Sequence, residues 1–166
     1  MPQIQEITTF KFSELSEDAK EKAISNNYDI NVGYLEWWDN IYDDAENIGL
    51  KITGFDLDRS SHCDAEYTED ACYTANKIRK NHGETCETYQ DAVNFLEERD
   101  GIVNSAETDK NGDFEDEYKL DNELDECEAE FLKTIREDYR VMLQKEYDYL
   151  TGEDAITESI ESNEIE

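Results

Sequence analysis

From Leu120 to Leu150, apolar side chains recur at every third or fourth position: Leu120, Leu124, Cys127, Phe131, Ile135, Tyr139 and Met142, extended by Leu143, Tyr147 and Leu150. That period belongs to a helix and not to a strand. It predicts one helix over about 116–150, on the order of 50 Å long at ~1.5 Å per residue. A rod of that length must have its stripe covered, either by other elements of the chain or by a second copy. The stripe widens after Phe131, where Leu132 joins it and Lys133, Arg136, Arg140 and Lys145 offset nearby acids. This half is expected either to pack on the rest of the domain or to form a homodimer seam. The carboxylates at 120–130 oppose self-pairing at the other end.

Shorter elements precede it. IQEITTFKF, residues 4–12, reads as an edge-type strand, and Ser16 is an N-cap for a helix over about 17–27. Tyr34, Trp37, Trp38, Ile41, Tyr42, Ala45 and Ile48 form a second helical stripe, closed by Gly49 at C′; both tryptophans are expected in a core if the stripe is wide, the alternative being one as an exposed anchor for a partner. LKITGFDLD reads as a strand whose inward parity changes at Gly54, as at a bulge. HCDAEY is its partner across the Arg59-Ser60-Ser61 turn, with Cys63, Ala65 and Tyr67 on one face. Helices are expected over 68–81, ended by Gly83, and over 88–99, with Gly101 beyond the end. The fold class is therefore α+β: a small antiparallel sheet packed with helices, plus a long acidic C-terminal helix.

Charge sets the division of the chain. Residues 1–100 hold 23 acids and 9 bases, whereas 101–166 hold 22 acids and 6 bases in less length. An α+β core over 1–100, an acidic loop and long helix over 101–150, and a disordered acidic tail over 151–166 are expected. Leu, Ile, Val and Phe are sparse, and ten Tyr and two Trp supply the missing apolar area.

The formal net charge is −30, from 45 Asp+Glu against 15 Lys+Arg. Phosphate binding needs Lys and Arg, so direct nucleic-acid binding is disfavoured, and so are anionic membranes. No apolar run approaches a membrane span, and no secretory signal is visible. The four cysteines, Cys63, Cys72, Cys86 and Cys127, contain no CxxC pair and are read as reduced cytosolic thiols.

The acids themselves are the candidate site. Between Asp113 and Glu130 lie ten Asp/Glu and one Lys. As a helix, that segment would carry roughly one carboxylate per 2.7 Å, against one phosphate per ~3.4 Å along a DNA strand. Asp113, Glu115, Asp116, Glu117, Asp121, Glu123, Asp125, Glu126, Glu128 and Glu130, with Glu36, Asp39, Asp43 and Asp44 from the 34–48 helix, are the expected partner-binding residues. Solubility needs far less charge, and like charges at i, i+4 weaken a helix.

Other constellations are weaker. DKNGDFEDEYKL places Asp109, Asn111 and Asp113 as a calcium loop would. Its sixth position is Phe114 instead of Gly, however, and its twelfth is Leu120 instead of Glu. His62, Cys63, Cys72, His82 and Cys86 match no common zinc spacing. Asp56 and Asp58 share a strand face, which leaves a metal-dependent enzyme as an alternative. Lys77, Arg79, Lys80 and Arg59 are the clustered bases that a nucleotide sponge would use. No metal, cofactor or catalytic residue is expected.

FSELSEDAKEKA, YLEWWDNIYDDAENIGLKITGFDLDR and HGETCETYQDAVNFLEE together resemble a group of small phage and prophage proteins. Those proteins carry an F-x-x-L-S-x-x-A-K-x-K-A segment, a Trp-Trp acidic helix and an F-D-L-D-R strand. The resemblance covers about residues 10–98 and implies a viral or mobile-element origin, with no catalytic residues attached. By association, small acidic phage proteins block host defence nucleases of the CRISPR-effector or restriction type. The expected protein is a non-enzymatic inhibitor in the host cytoplasm. Its acidic faces would occupy the basic nucleic-acid groove of a host protein.

Overall fold

A computed structural model of the chain describes residues 4–33 and 36–163. The chain forms two compact units, one of residues 1–37 with 145–166 and one of residues 38–144. The class is α+β, with a two-stranded antiparallel sheet among six α-helices in the described residues. The boundary expected near residue 100 is not where the chain divides, because the long helix supplies the core of the unit that holds the sheet.

In the 38–144 unit, α2 (Asp39–Asn47) leads through Gly49 into β1 (Leu50–Asp56), which pairs with β2 (His62–Tyr67). Gly49 sits at φ +80°, and a Cβ there would stand 2.9 Å from the Tyr73 ring, so both backbone and space demand glycine. The register shifts between Ile52 and Gly54, leaving Thr53 as the extra residue of the expected bulge. Leu50, Ile52, Cys63 and Ala65 are buried on the inner face. Helix α3 (Ala71–Asn81) starts at Asp70, whose carboxylate accepts from Tyr73 N at 2.7 Å.

Helix α4 (Glu87–Ser105) continues past Gly101, where a stop was expected. A single interior glycine costs only about 1 kcal/mol, and the half-buried Ile102 and Val103 continue the apolar face beyond it. Helix α5 (Glu117–Leu150) has close to its expected span. Phe131, Ile135, Tyr139 and Leu143 are buried within the single chain. Phe131 stacks on Phe95 of α4 at 4.3 Å. Arg136 Nε donates to Ala65 O at 2.8 Å, and Tyr67 OH donates to Glu128 O at 2.9 Å. These contacts use the stripe from Phe131 to Leu143 as internal core of the chain.

The expected helix over 34–48 starts later, at Asp39, and Tyr34 lies outside the described residues. Trp38 is half-buried against Phe55 and Tyr42, with centroids at 5.7 and 6.4 Å.

The other unit holds α1 (Glu17–Asn26), α6 (Glu153–Ser162) and the end of α5. Ser16 caps α1 as expected, accepting from Ala19 N. Trp37 is half-buried against Tyr147, 5.7 Å between centroids. Residues 4–11 form no strand. They have no partner ladder among the described residues, and Ile4 is 92% exposed. The tail expected to be disordered is helix α6. Ala155, Ile156 and Ile160 share one helical face and are buried, and Phe12, Ile156 and Ile160 form a core packed by Leu15, Ala23, Ile24 and Ile30. Acidic composition concealed that spacing. Asn31 secures the arrangement, donating to Leu150 O at 2.8 Å and accepting from Ser159 Oγ at 2.6 Å.

Candidate acidic interface

The loop before α5 folds on its own carboxylate. Asp109 Oδ1 accepts from Asn111 N at 2.7 Å and Asp113 N at 3.1 Å, Gly112 takes φ +86°, and Thr108 bridges Phe114. The calcium-like spacing therefore serves an Asx turn. Asp113, Glu115 and Asp116 are exposed in this loop, and Asp116 accepts from Lys119 N at 2.9 Å at the start of α5. That acceptor and the acids of the first turn suit the positive end of the helix dipole.

From Glu117 onward the acids stand on a helix. Glu117, Asp121, Glu123, Asp125, Glu126 and Glu130 are exposed, and Glu128 is half-buried. Seven carboxylates over the fourteen residues 117–130 span ~21 Å, or about one per 3 Å. This is looser than the sequence expectation, because 113–116 is loop. Cations nearby are few. Lys133 lies 3.3 Å from Glu130, and Lys119 lies 4.0 Å from Glu123.

The α2 acids divide. Asp39 and Asp43 are exposed, as is Glu36 outside the helix, but Asp44 is half-buried and turned into the fold. Its Oδ2 accepts from Tyr139 OH at 2.6 Å and lies 3.3 Å from His82 Nε2. His82, foremost, and Tyr139 hold this carboxyl below its usual range against the burial that would raise it. His82 Nδ1 lies 2.6 Å from Thr88 Oγ1. Thr88, His82 and Asp44 thus follow the order of a hydroxyl–imidazole–carboxylate relay, but Thr88 is 1% exposed and no substrate can reach its hydroxyl. The chain ties α2, the end of α3, the start of α4 and α5 together. Asp44 is withdrawn from the interface on that ground.

Two flanking cavities continue the acidic face along α4 and α5. One of about 660 Å³ is lined by Glu98, Ile102, Glu123, Glu126, Cys127, Ala129, Glu130 and Lys133. The other, about 190 Å³, shares Glu98, Cys127 and Glu130 and adds Asp91 and Thr134. Asp91 and Glu98 are not among the expected site residues, although their i, i+7 spacing on α4 is a signal for one helix face. Beside Asp91, the Asp138 carboxyl of α5 is pushed up to about 8, by burial first and then by Asp91, Glu87 and Glu137. Its Oδ2 is shut off from solvent and receives no hydrogen bond.

The remaining candidates do not converge. Cys63 is buried under the hairpin, its thiol pushed up to about 11 chiefly by that burial, while Cys86 is exposed at the start of α4. Among the described residues, no three His, Cys, Asp or Glu form a group that could hold a metal ion. Asp56 Oδ1 accepts from Asp58 N at 2.7 Å and so shapes the turn after β1. Lys77 lies over the Tyr73 ring, and Arg79 and Lys80 stand in the last turn of α3, where cations complement the dipole. No helix among the described residues is long and apolar enough to cross a membrane. Compared with known protein families, curated proteins and solved structures, the chain gives no match.

Proposed function

We propose that the protein is a non-enzymatic inhibitor, phage-encoded and acting in the host cytoplasm. Its α5 acids occupy the basic nucleic-acid groove of a host defence protein of the CRISPR-effector or restriction type. The observation that carries this is the seven carboxylates on 117–130, held on one rigid helix at about one per 3 Å, close to the ~3.4 Å phosphate spacing of a DNA strand. A rigid array differs from a solvated acidic tail. Its charges need no ordering on binding, and its field steers a basic partner toward the helix. Exposed Asp39 and Asp43 of α2 add to the same sign of potential.

An affinity pull-down from the bacterial host, run beside a variant with Asp121, Glu123, Asp125, Glu126, Glu128 and Glu130 changed to Asn or Gln, tests it. The wild-type chain should capture a nucleic-acid-binding protein that elutes with salt and is absent from the variant lane. Capture of the same protein by both chains would remove α5 as the contact.

A further inference from the structure

Residues 4–11 are strand-like in sequence and lack a strand partner. No backbone hydrogen bond joins residues 4–10 to any described residue, and Ile4, Ile7 and Phe10 are 92%, 76% and 56% exposed. A segment with that pattern is an unused edge, ready to pair with another chain. We propose that this arm pairs with the same arm of a second copy, antiparallel and about a twofold axis at Ile7, and so makes the protein a homodimer. The inference is independent of the acidic-interface reading above.

Three observations favour a second copy as the occupant. The arm's own charges, Glu6 and Lys11, cancel, in a chain of net charge −30. Two copies repel across their acidic faces but meet here without bringing like charges into opposition. Next, Ile4, Ile7 and Phe10 are equally spaced, so the arm is complementary to itself. Aligned about Ile7, the two Ile7 side chains face each other, each Ile4 faces Phe10 of the other copy, and each Glu6 faces Thr8. A twofold interface requires such self-complementarity, and opposed apolar side chains ~4.5–5.5 Å apart stabilise it. Finally, a two-stranded ribbon is marginal alone, and the groove beside the arm gives this one a wall to lie on. Phe12, Leu15, Ala23 and Ile160 line the groove with Asn26, Asn27 and the arm's residues 8–10, and none of these is charged. Opposed residues share one face of a ribbon, so the pairing sets Ile4 of the second copy beside Phe10, at the groove. A basic protein finds one carboxylate on the arm, Glu6, and none lining the groove.

Light scattering on the full chain at micromolar concentration in moderate salt should give a mass near twice 19.4 kDa. Ile7→Asp sets two carboxylates face to face at the axis, at a position exposed enough to leave the fold intact. It should return the mass to 19.4 kDa with an unchanged circular-dichroism spectrum. Tyr149→Asp adds the same charge at another exposed side chain, away from the arm in sequence, and should leave the dimer whole. The register is read by diamide cross-linking in a Cys86→Ser background, because Cys86 is exposed. Ile7→Cys should form an inter-chain disulfide at least about tenfold faster than Thr9→Cys, since the two Thr9 positions stand four residues, ~13 Å, apart along the ribbon. A wild-type mass of 19.4 kDa would overturn the dimer. A dimer that survives Ile7→Asp, or equal cross-linking at positions 7 and 9, would overturn pairing through the arm.

Discussion

Asp138 offers the sharpest physical test of how this fold carries its charge. Its carboxyl is half-buried on α5 beside Asp91 of α4, with Glu87 and Glu137 close enough to disfavour ionisation. Its value is raised from the ordinary 3.8 to about 8. The folded protein therefore keeps a proton that the unfolded chain releases, and stability falls as pH rises between about 4 and about 8. A carboxyl lifted from 3.8 to about 8 corresponds to roughly 5–6 kcal/mol. Because the group is only half-buried, solvent screening reduces this to about 1–3 kcal/mol. Asp138→Asn keeps the shape and never ionises. It should raise stability by that amount at pH 8.5 and have little effect at pH 4. For a chain of this length, the gain corresponds to a melting temperature higher by about 2–10 °C. Paired thermal melts across this pH range provide the assay, and the difference between variant and wild type cancels the general self-repulsion of the acidic surface. A variant no more stable than wild type at pH 8.5, or equally stabilised at both ends, would refute the reasoning.

Three further changes test the fold. Ile160→Ala should cost about 2–4 kcal/mol in denaturant unfolding, because Ile160 belongs to the core around Phe12 and Ile156; no change would make α6 the loose tail its composition suggests. Gly49→Ala should cost about 1–3 kcal/mol, from a positive φ and a Cβ at 2.9 Å from Tyr73, read as a lower melting temperature. Asp44→Ala should cost about 1–3 kcal/mol at neutral pH by leaving the buried Tyr139 hydroxyl without its acceptor. Because the Asp44 carboxyl is held below its usual value, its contribution is present above about pH 4 and fades as the carboxyl protonates. The deficit of Asp44→Ala should therefore shrink in acid.

What could be read in the sequence follows local periodicity. The stripe from Leu120 to Leu150 determined α5 to within a residue, and the parity change at Gly54 located the bulge, because both are short-range patterns set by backbone geometry. Failures came where composition or a single residue stood in for pattern. Gly101 alone suggests a stop, yet a helix face continues through it. The acidic tail hid Ile156 and Ile160 one turn apart. Strand-like residues 4–11 found no ladder, since pairing depends on a partner that no local signal supplies. In the candidate site, the α5 acids were legible as a charge run. That Asp44 turns inward to Tyr139, and that Glu98 and Asp91 of α4 extend the acidic face, depends on how helices pack, which one segment cannot report.

The central claim is that the α5 carboxylates and nucleic acid compete for one site on the captured partner. The direct measurement loads that partner with its own labelled DNA or RNA and titrates in this protein while following anisotropy. Displacement should reach completion, weaken with added salt, and disappear when Asp121, Glu123, Asp125, Glu126, Glu128 and Glu130 are changed to Asn or Gln. A ternary complex in which the partner holds both ligands at full occupancy would contradict mimicry outright.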